Sequence, residues 1–195
     1  MPRKPREFLA GGIYHVFNRG NNRRTLFEDV RDYECFKGIM IKGQDRERVR
    51  IYHYCLMSNH FHLLMKSEEK ESLYRFMHWV QLGYARYYKK KHKTTGHVFE
   101  ERYRSPRIAE ESYYLQCGRY IESNPVKAKM VEAAEDYPHS SARYYVDGRK
   151  DPLLTENLYY QAIGRTPIER QRKYKKFVRM DEPYAELITD QLLKY

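Results

Sequence analysis

From His60 to Met65 the chain alternates two kinds of residue, with His60, His62 and Leu64 set against Phe61, Leu63 and Met65. Successive side chains of a strand point to opposite faces, so Phe61, Leu63 and Met65 make an apolar backing while the two imidazoles share the other side. Two further stretches read as strands. In Gly12 to Phe17, Ile13, His15 and Phe17 oppose Tyr14 and Val16; in Arg50 to Met57, Ile51, His53 and Cys55 oppose Tyr52, Tyr54 and Leu56. Bulk on both faces of the latter predicts a central strand, joined to the histidine strand by a turn at Ser58-Asn59. Helical spacing appears elsewhere. Val30, Tyr33, Phe36 and Met40 predict a helix over 30–41 with Gly43 as its stop, and Leu73, Phe76, Met77, Val80, Tyr84 and Tyr87 predict one over 72–88 with Trp79 at the stripe's edge. The arginine- and aromatic-rich stretch His97 to Ile108 contains Pro106, which confines it to a sheet edge or a loop. A last stripe, Tyr113, Cys117, Tyr120, Ile121 and Asn124, starts a helix near Glu110, and Pro125 makes Asn124 about its final residue. The order strand, helix, strand, strand, helix, strand, helix predicts an α+β fold: a ferredoxin-like antiparallel sheet with helices on one side, followed by a basic C-terminal extension.

Charge changes this picture from a generic domain to one with a polyanionic partner. There are 37 Lys and Arg against 26 Asp and Glu, a net charge of +11, which favours nucleic acid over a small neutral substrate. Twenty tyrosines offer rings for stacking on unpaired bases. Cys35, Cys55 and Cys117 lie far apart without a Cys-x-x-Cys, so they read as buried thiols rather than a disulfide frame or zinc site. No run of 18 apolar residues exists, and the charged start carries no apolar segment behind it, so the expected location is the cytoplasm, away from membranes. The chain divides into a basic arm at 1–10, a domain at 11–146, and a linker with a basic helical tail at 147–195, marked by Asp147-Gly148, Pro152 and the Arg165 to Arg179 cluster.

The histidine pair admits two readings, surface imidazoles or a metal pincer. Ordered motifs around it decide the direction. Tyr14-His15-Val16 with Asn18-Arg19-Gly20-Asn21, Tyr54 through Leu64, Gly96-His97-Val98-Phe99 with Arg102-Tyr103, Arg119 through Ala128, and Asp136-Tyr137-Pro138 with Ser140-Ser141 together resemble the bacterial tyrosine transposases of the REP-associated type. These are relatives of the IS200/IS605 single-tyrosine transposases among the HUH endonucleases. The resemblance spans roughly 11–145. It departs from the family at Ser58, where proline is usual, at Lys129, where glycine is common, and at His139, where tryptophan is common.

The resemblance implies a metal-dependent single-stranded DNA endonuclease and strand transferase acting at hairpin-forming palindromic repeats through a 5′-phosphotyrosine. Tyr120 matches the nucleophile; His60, His62 and Asn124 match the ligands of a divalent metal, Mg²⁺ or Mn²⁺. Tyr120 and Asn124 are one helical turn apart, consistent with a shared face. Arg19, Arg23, Arg24, Arg102, Arg104, Arg107 and Lys127 are the expected DNA contacts, in a protein that is a monomer or homodimer associated with the nucleoid. A non-catalytic nucleic-acid-binding module, or a metal nuclease that uses water, is the alternative.

Overall fold

The structure, a computed structural model, describes residues 7–109 and 111–180. Residues 1–6 of the expected basic arm and the end of the tail from 181 lie outside the described residues. Strands β1 (Ile13–Arg19), β2 (Val49–Met57), β3 (His60–Ser67) and β4 (Arg107–Ile108) form one antiparallel sheet in the order β2-β3-β1-β4. Ser58 and Asn59 make the two-residue turn between β2 and β3, with Met57 opposite His60. As its proline demands, the arginine-rich stretch supplies only a short edge: β4 is two residues long, supplemented by bridges from Phe17 to Arg104 and from Gly20 to Phe99.

Two long helices, α1 (Val30–Glu47) and α2 (Ser72–His92), cover one face. Against them pack Tyr14, Val16, Ile51, Tyr54, Leu56, Phe61, Leu63 and Met65, joined by Phe36, Met40, Phe76, Met77, Val80 and Tyr84 in one apolar core. Helix α3 (Glu111–Lys127) lies on the opposite face, where Tyr114, Cys117 and Ile121 meet Cys55, Met57 and Leu64. The helices on one side of the expected sheet are therefore α1 and α2, and the helix carrying Tyr120 is set on the other.

Several local expectations change for identifiable reasons. Gly43 does not stop α1, which runs to Glu47 and ends at Arg48 in the left-handed region. A Cβ on Gly43 would stand 2.8 Å from the Trp79 ring, so the glycine serves the close approach of α1 and α2. Strand β2 is not central. It ends the ladder, yet its outer side is covered by Leu56 N donating to His139 O, Ser141 N to Tyr54 O and Thr155 N to Ile51 O, at 2.8–2.9 Å; a covered edge buries both faces as a central strand does. A bulge between Ile51 and His53 reverses the alternation, so Ile51 joins the α1–α2 core with Tyr54 and Leu56 while His53, Cys55 and Met57 face α3. Lys129 has φ 56°, the region glycine adopts without cost. His139 stacks on Tyr33 with ring centroids 3.6 Å apart.

The stretch that reads as a linker is packed. Leu153 is fully buried in the main core, and Asp151 accepts from both Lys37 Nζ and Tyr54 OH at 2.7 Å. Helices α4 (Ala142–Asp147), α5 (Leu158–Ala162) and α6 (Pro167–Val178) follow. Tyr145, Tyr160, Tyr174 and Val178 bury together, so the basic helix keeps its cations outward and its apolar stripe docked.

Candidate functional site

The site forms where β1, β3, α3 and the arginine-rich strap meet. In the β1–β3 register Arg19 stands opposite His60 and Phe17 opposite His62. The strap 98–104 is fixed along β1 by backbone bonds: Asn21 N to Val98 O at 2.9 Å, Glu100 N to Arg19 O at 3.0 Å, and Arg104 N to Phe17 O at 2.8 Å. Buried Asn18 adds a side-chain bond to Glu101 O at 2.9 Å. These bonds place Arg102 and Arg104 on the wall of a cleft of about 720 Å³ that is also lined by Arg19, Arg23, His60, His62 and Tyr120. Arg23 reaches it from a short 3-10 turn, Asn21–Arg23, in which Asn22 and Arg23 both have positive φ. Arg19 is paired with Glu100 at the same wall.

The three rings expected to act together are in contact. His60 and His62 stand nearly perpendicular with centroids 5.1 Å apart, and Tyr120 lies edge-on to His62 at 5.8 Å. Each histidine has one nitrogen engaged by the protein: His60 Nδ1 is 2.7 Å from Asn59 Oδ1, and His62 Nδ1 is 2.9 Å from His15 Nε2. Burial pushes the pKa of both histidines down, with Arg19 adding to the effect on His60 and the neighbouring imidazoles adding to it on His62. Both rings are therefore neutral near pH 7, the form that can donate a lone pair. Burial raises the pKa of Tyr120, so its phenol is protonated at rest. Lys127 Nζ sits 4.9 Å from the centre of that ring.

Asn124 behaves differently. Helix α3 does not stop there but continues through Pro125 to Lys127. Proline lacks the N–H that would bond the Ile121 carbonyl, and Asn124 Nδ2 fills the gap, reaching Tyr120 O at 2.7 Å and Ile121 O at 3.2 Å. The amide nitrogen is committed to the helix, which leaves Oδ1 as its free acceptor. Asn124 is not on the cleft lining, and neither are Arg24, Arg107 or Lys127. Among the described residues no three His, Cys, Asp or Glu side chains group as a metal site.

The family model described as transposase, IS200 like, matches residues 10–124. The chain belongs to that family. The match spans more than half of the chain, from just before β1 to Asn124, and so encloses the histidine strand, the arginine strap and most of the tyrosine helix. Among solved structures, one of a REP-associated tyrosine transposase bound to a REP hairpin superposes with a TM-score of 0.64 at 18% identity, covering 81% of this chain and 93% of that one. A putative transposase from Deinococcus radiodurans R1 overlaps at a TM-score of 0.44 and 17% identity, covering 63% of this chain and 97% of that one. No curated protein matches. Among the described residues no helix is long and apolar enough to cross a membrane.

Sequence reasoning missed the support beneath this site. His53, Glu122, Ser141 and Tyr174 form a buried cluster: Glu122 lies 2.9 Å from His53 Nδ1 and accepts from Ser141 Oγ at 2.5 Å and Tyr174 OH at 2.8 Å. Gly118 makes room, since a Cβ there would stand 2.7 Å from the His53 ring. The cluster ties α3 to β2, α4 and α6. Its one sequence signal was Glu122, a carboxylate two residues after Tyr120 and next to Ile121 of the helical stripe.

Proposed function

We propose that this IS200-like protein is a metal-dependent single-stranded DNA endonuclease and strand transferase that cleaves and rejoins DNA at hairpin-forming palindromic repeats through a 5′-phosphotyrosine. The observation that carries the reading is that Tyr120, His60 and His62 share one cleft with four arginines. The hairpin-bound relative of the same fold supports the substrate class, and such a substrate places the protein on the nucleoid.

The residues present fit a divalent cation. Each imidazole has its Nδ1 held by a neighbour, the arrangement that orients a histidine for metal through its other nitrogen. His60 and His62 would hold the ion, and Asn124 would join them by giving up its bonds to Tyr120 O and Ile121 O; Mg²⁺ or Mn²⁺ suits such a mixed set. When bound, the cation supplies charge neutralisation to the scissile phosphate. The chain's own groups do the rest. Arg19, Arg23, Arg102 and Arg104 line the path of the backbone and hold its phosphates, Arg19 by exchanging Glu100 for a phosphate oxygen. Tyr120 gives up its proton to solvent in the open cleft, and its oxygen forms the new bond to phosphorus as the bond to the 3′ oxygen breaks. Lys127 stabilises the phenolate that appears in that step. The 3′ oxygen takes up a proton and departs as a free hydroxyl; the reverse attack restores the strand, because the phosphodiester energy is kept in the tyrosine ester.

Incubation of the protein with a 3′-labelled hairpin and Mn²⁺ tests this. The wild type leaves protein on the 5′ end of the downstream fragment, and Tyr120→Phe leaves none while binding the hairpin normally. Tyr113→Phe and Tyr114→Phe still form the adduct. A labelled fragment without protein would establish a water-using nuclease instead, and no cleavage by any form would leave a binding module.

A further inference from the structure

His15 is fully buried on β1 and has no part in the chemistry above. Its Nε2 lies 2.9 Å from His62 Nδ1, the two rings stack at 5.1 Å, and its own Nδ1 has no partner. One hydrogen bond joins these two buried rings, so one of the two facing nitrogens donates and the other accepts. Only two proton arrangements are available to them. If His62 Nδ1–H donates to His15, His62 Nε2 carries a lone pair; if His15 Nε2–H donates to His62, His62 Nε2 carries the proton and cannot ligate. His60 has no such freedom, because the Asn59 oxygen beside its Nδ1 can only accept.

Resting on the metal reading given above, we propose that His15 is a positioning residue: it accepts the His62 Nδ1–H and so presents His62 Nε2 to the divalent cation, as Asn59 does for His60. The arrangement places a proton on His15 Nδ1, the buried atom without a partner, which explains why the pair adopts it only when a cation rewards the bare Nε2. His60 is a ligand of fixed tautomer and His62 one of conditional tautomer.

The test is Mn²⁺ binding to the DNA-free full chain, followed by the electron paramagnetic resonance of free Mn²⁺. His15→Phe keeps a ring in the slot and removes the acceptor; His15→Gln puts an amide oxygen near the position of Nε2. The expected result is an affinity lowered about 10- to 100-fold in His15→Phe, the range for losing an outer partner of a ligand, and restored in His15→Gln, with hairpin affinity in chelator the same for all three. A second measurement needs no variant: nitrogen-15 spectra of the Mg²⁺-saturated wild type assign the proton of His62 to Nδ1. Equal Mn²⁺ affinity of wild type and His15→Phe, or a proton on His62 Nε2 in the saturated protein, overturns the inference alone. A wild type that binds no Mn²⁺ overturns the metal reading and the inference with it.

Discussion

The two faces of the sheet are made by the same strands and built to different ends. Toward α1 and α2, β3 sends Phe61, Leu63 and Met65 into a continuous apolar core. Toward α3 the alternate residues of the same strands set His15 and His62 beside Tyr120, and His53 beside Glu122. Apolar burial stabilises at roughly 25 cal/mol per Å² wherever it occurs, whereas each buried polar group costs free energy unless it is paired. Stability and chemistry are thus interleaved with a period of two residues, which makes them separable by substitution of sequence neighbours.

The widest separation is expected at His62 and Leu63. His62→Ala should remove metal-dependent cleavage by more than about a hundredfold, since loss of an outer partner alone commonly costs 10- to 100-fold, while leaving the thermal midpoint near that of the wild type. Leu63→Ala should do the reverse, lowering unfolding free energy by about 2–5 kcal/mol while the folded fraction still cleaves. Denaturant unfolding beside single-turnover cleavage gives both quantities. A Leu63→Ala protein that is as stable as the wild type would break the division between the faces.

How far the faces could be read beforehand depended on whether local pattern or tertiary contact fixed each position. The alternation at β3 and the stripe of α2 follow from side-chain direction alone, and they were legible; the stripes of α1 and α3 were displaced at their starts, since Val30 is exposed and Tyr114 rather than Tyr113 is buried. That His60, His62, Arg19, Arg23, Arg102, Arg104 and Tyr120 share a cleft was signalled by the motifs of the resemblance and not by spacing alone. The bulge that turns His53 away from Ile51 was not legible, because one extra residue on one strand is specified by its partner strand. Nor was the role of Gly43, which reads as a helix stop until Trp79 is placed against it. Pro125 reads as a helix end for the same reason, since the Asn124 amide that makes good its missing bond is invisible in propensity. The basic 165–179 stretch gives a high count of cations whether free or docked; the burial of Tyr174 and Val178, and Tyr174 reaching Glu122, show that one side of α6 is docked.

That tether gives the next smaller effect. Tyr174→Phe removes the hydroxyl that donates to Glu122 Oε2 and leaves one oxygen of a fully buried carboxylate short of a donor. Hydrogen bonds to charged groups contribute about 1.5–3 kcal/mol, so the unfolding free energy should fall by about that amount. The chemistry should persist, because Tyr120 and the histidines keep their contacts. If hydrogen exchange shows α3 amides unaffected while only α6 loses protection, Glu122 is not the member that holds the tyrosine helix to its base.

The smallest effect concerns protons on the α3 face, measured in chelator so that no cation competes. A histidine whose folded pKa is lowered takes up a proton when unfolded and refuses it when folded. Its contribution to stability is therefore fully present above the unfolded value of about 6.5 and is lost as pH falls below it. For His15, with a folded pKa of about 3, the loss runs across that whole interval at about 1.4 kcal/mol per pH unit. Carboxylates such as Glu135, held low by Lys175 and Arg179 against the effect of burial, keep their contribution until pH falls below about 4.5. Between pH 6.5 and 4.5 the slope therefore belongs to the histidines. His60, His62 and His139 are also shifted down by burial, so the wild-type slope exceeds one proton. His15→Gln should flatten it by about one, seen as a smaller difference between urea midpoints at pH 6.5 and 5.0. On the apolar face no comparable titration exists in Phe61, Leu63 or Met65, so Leu63→Ala should lower stability at both pH values by the same amount. Parallel slopes for wild type and His15→Gln would mean that His15 is reached by protons in the folded state.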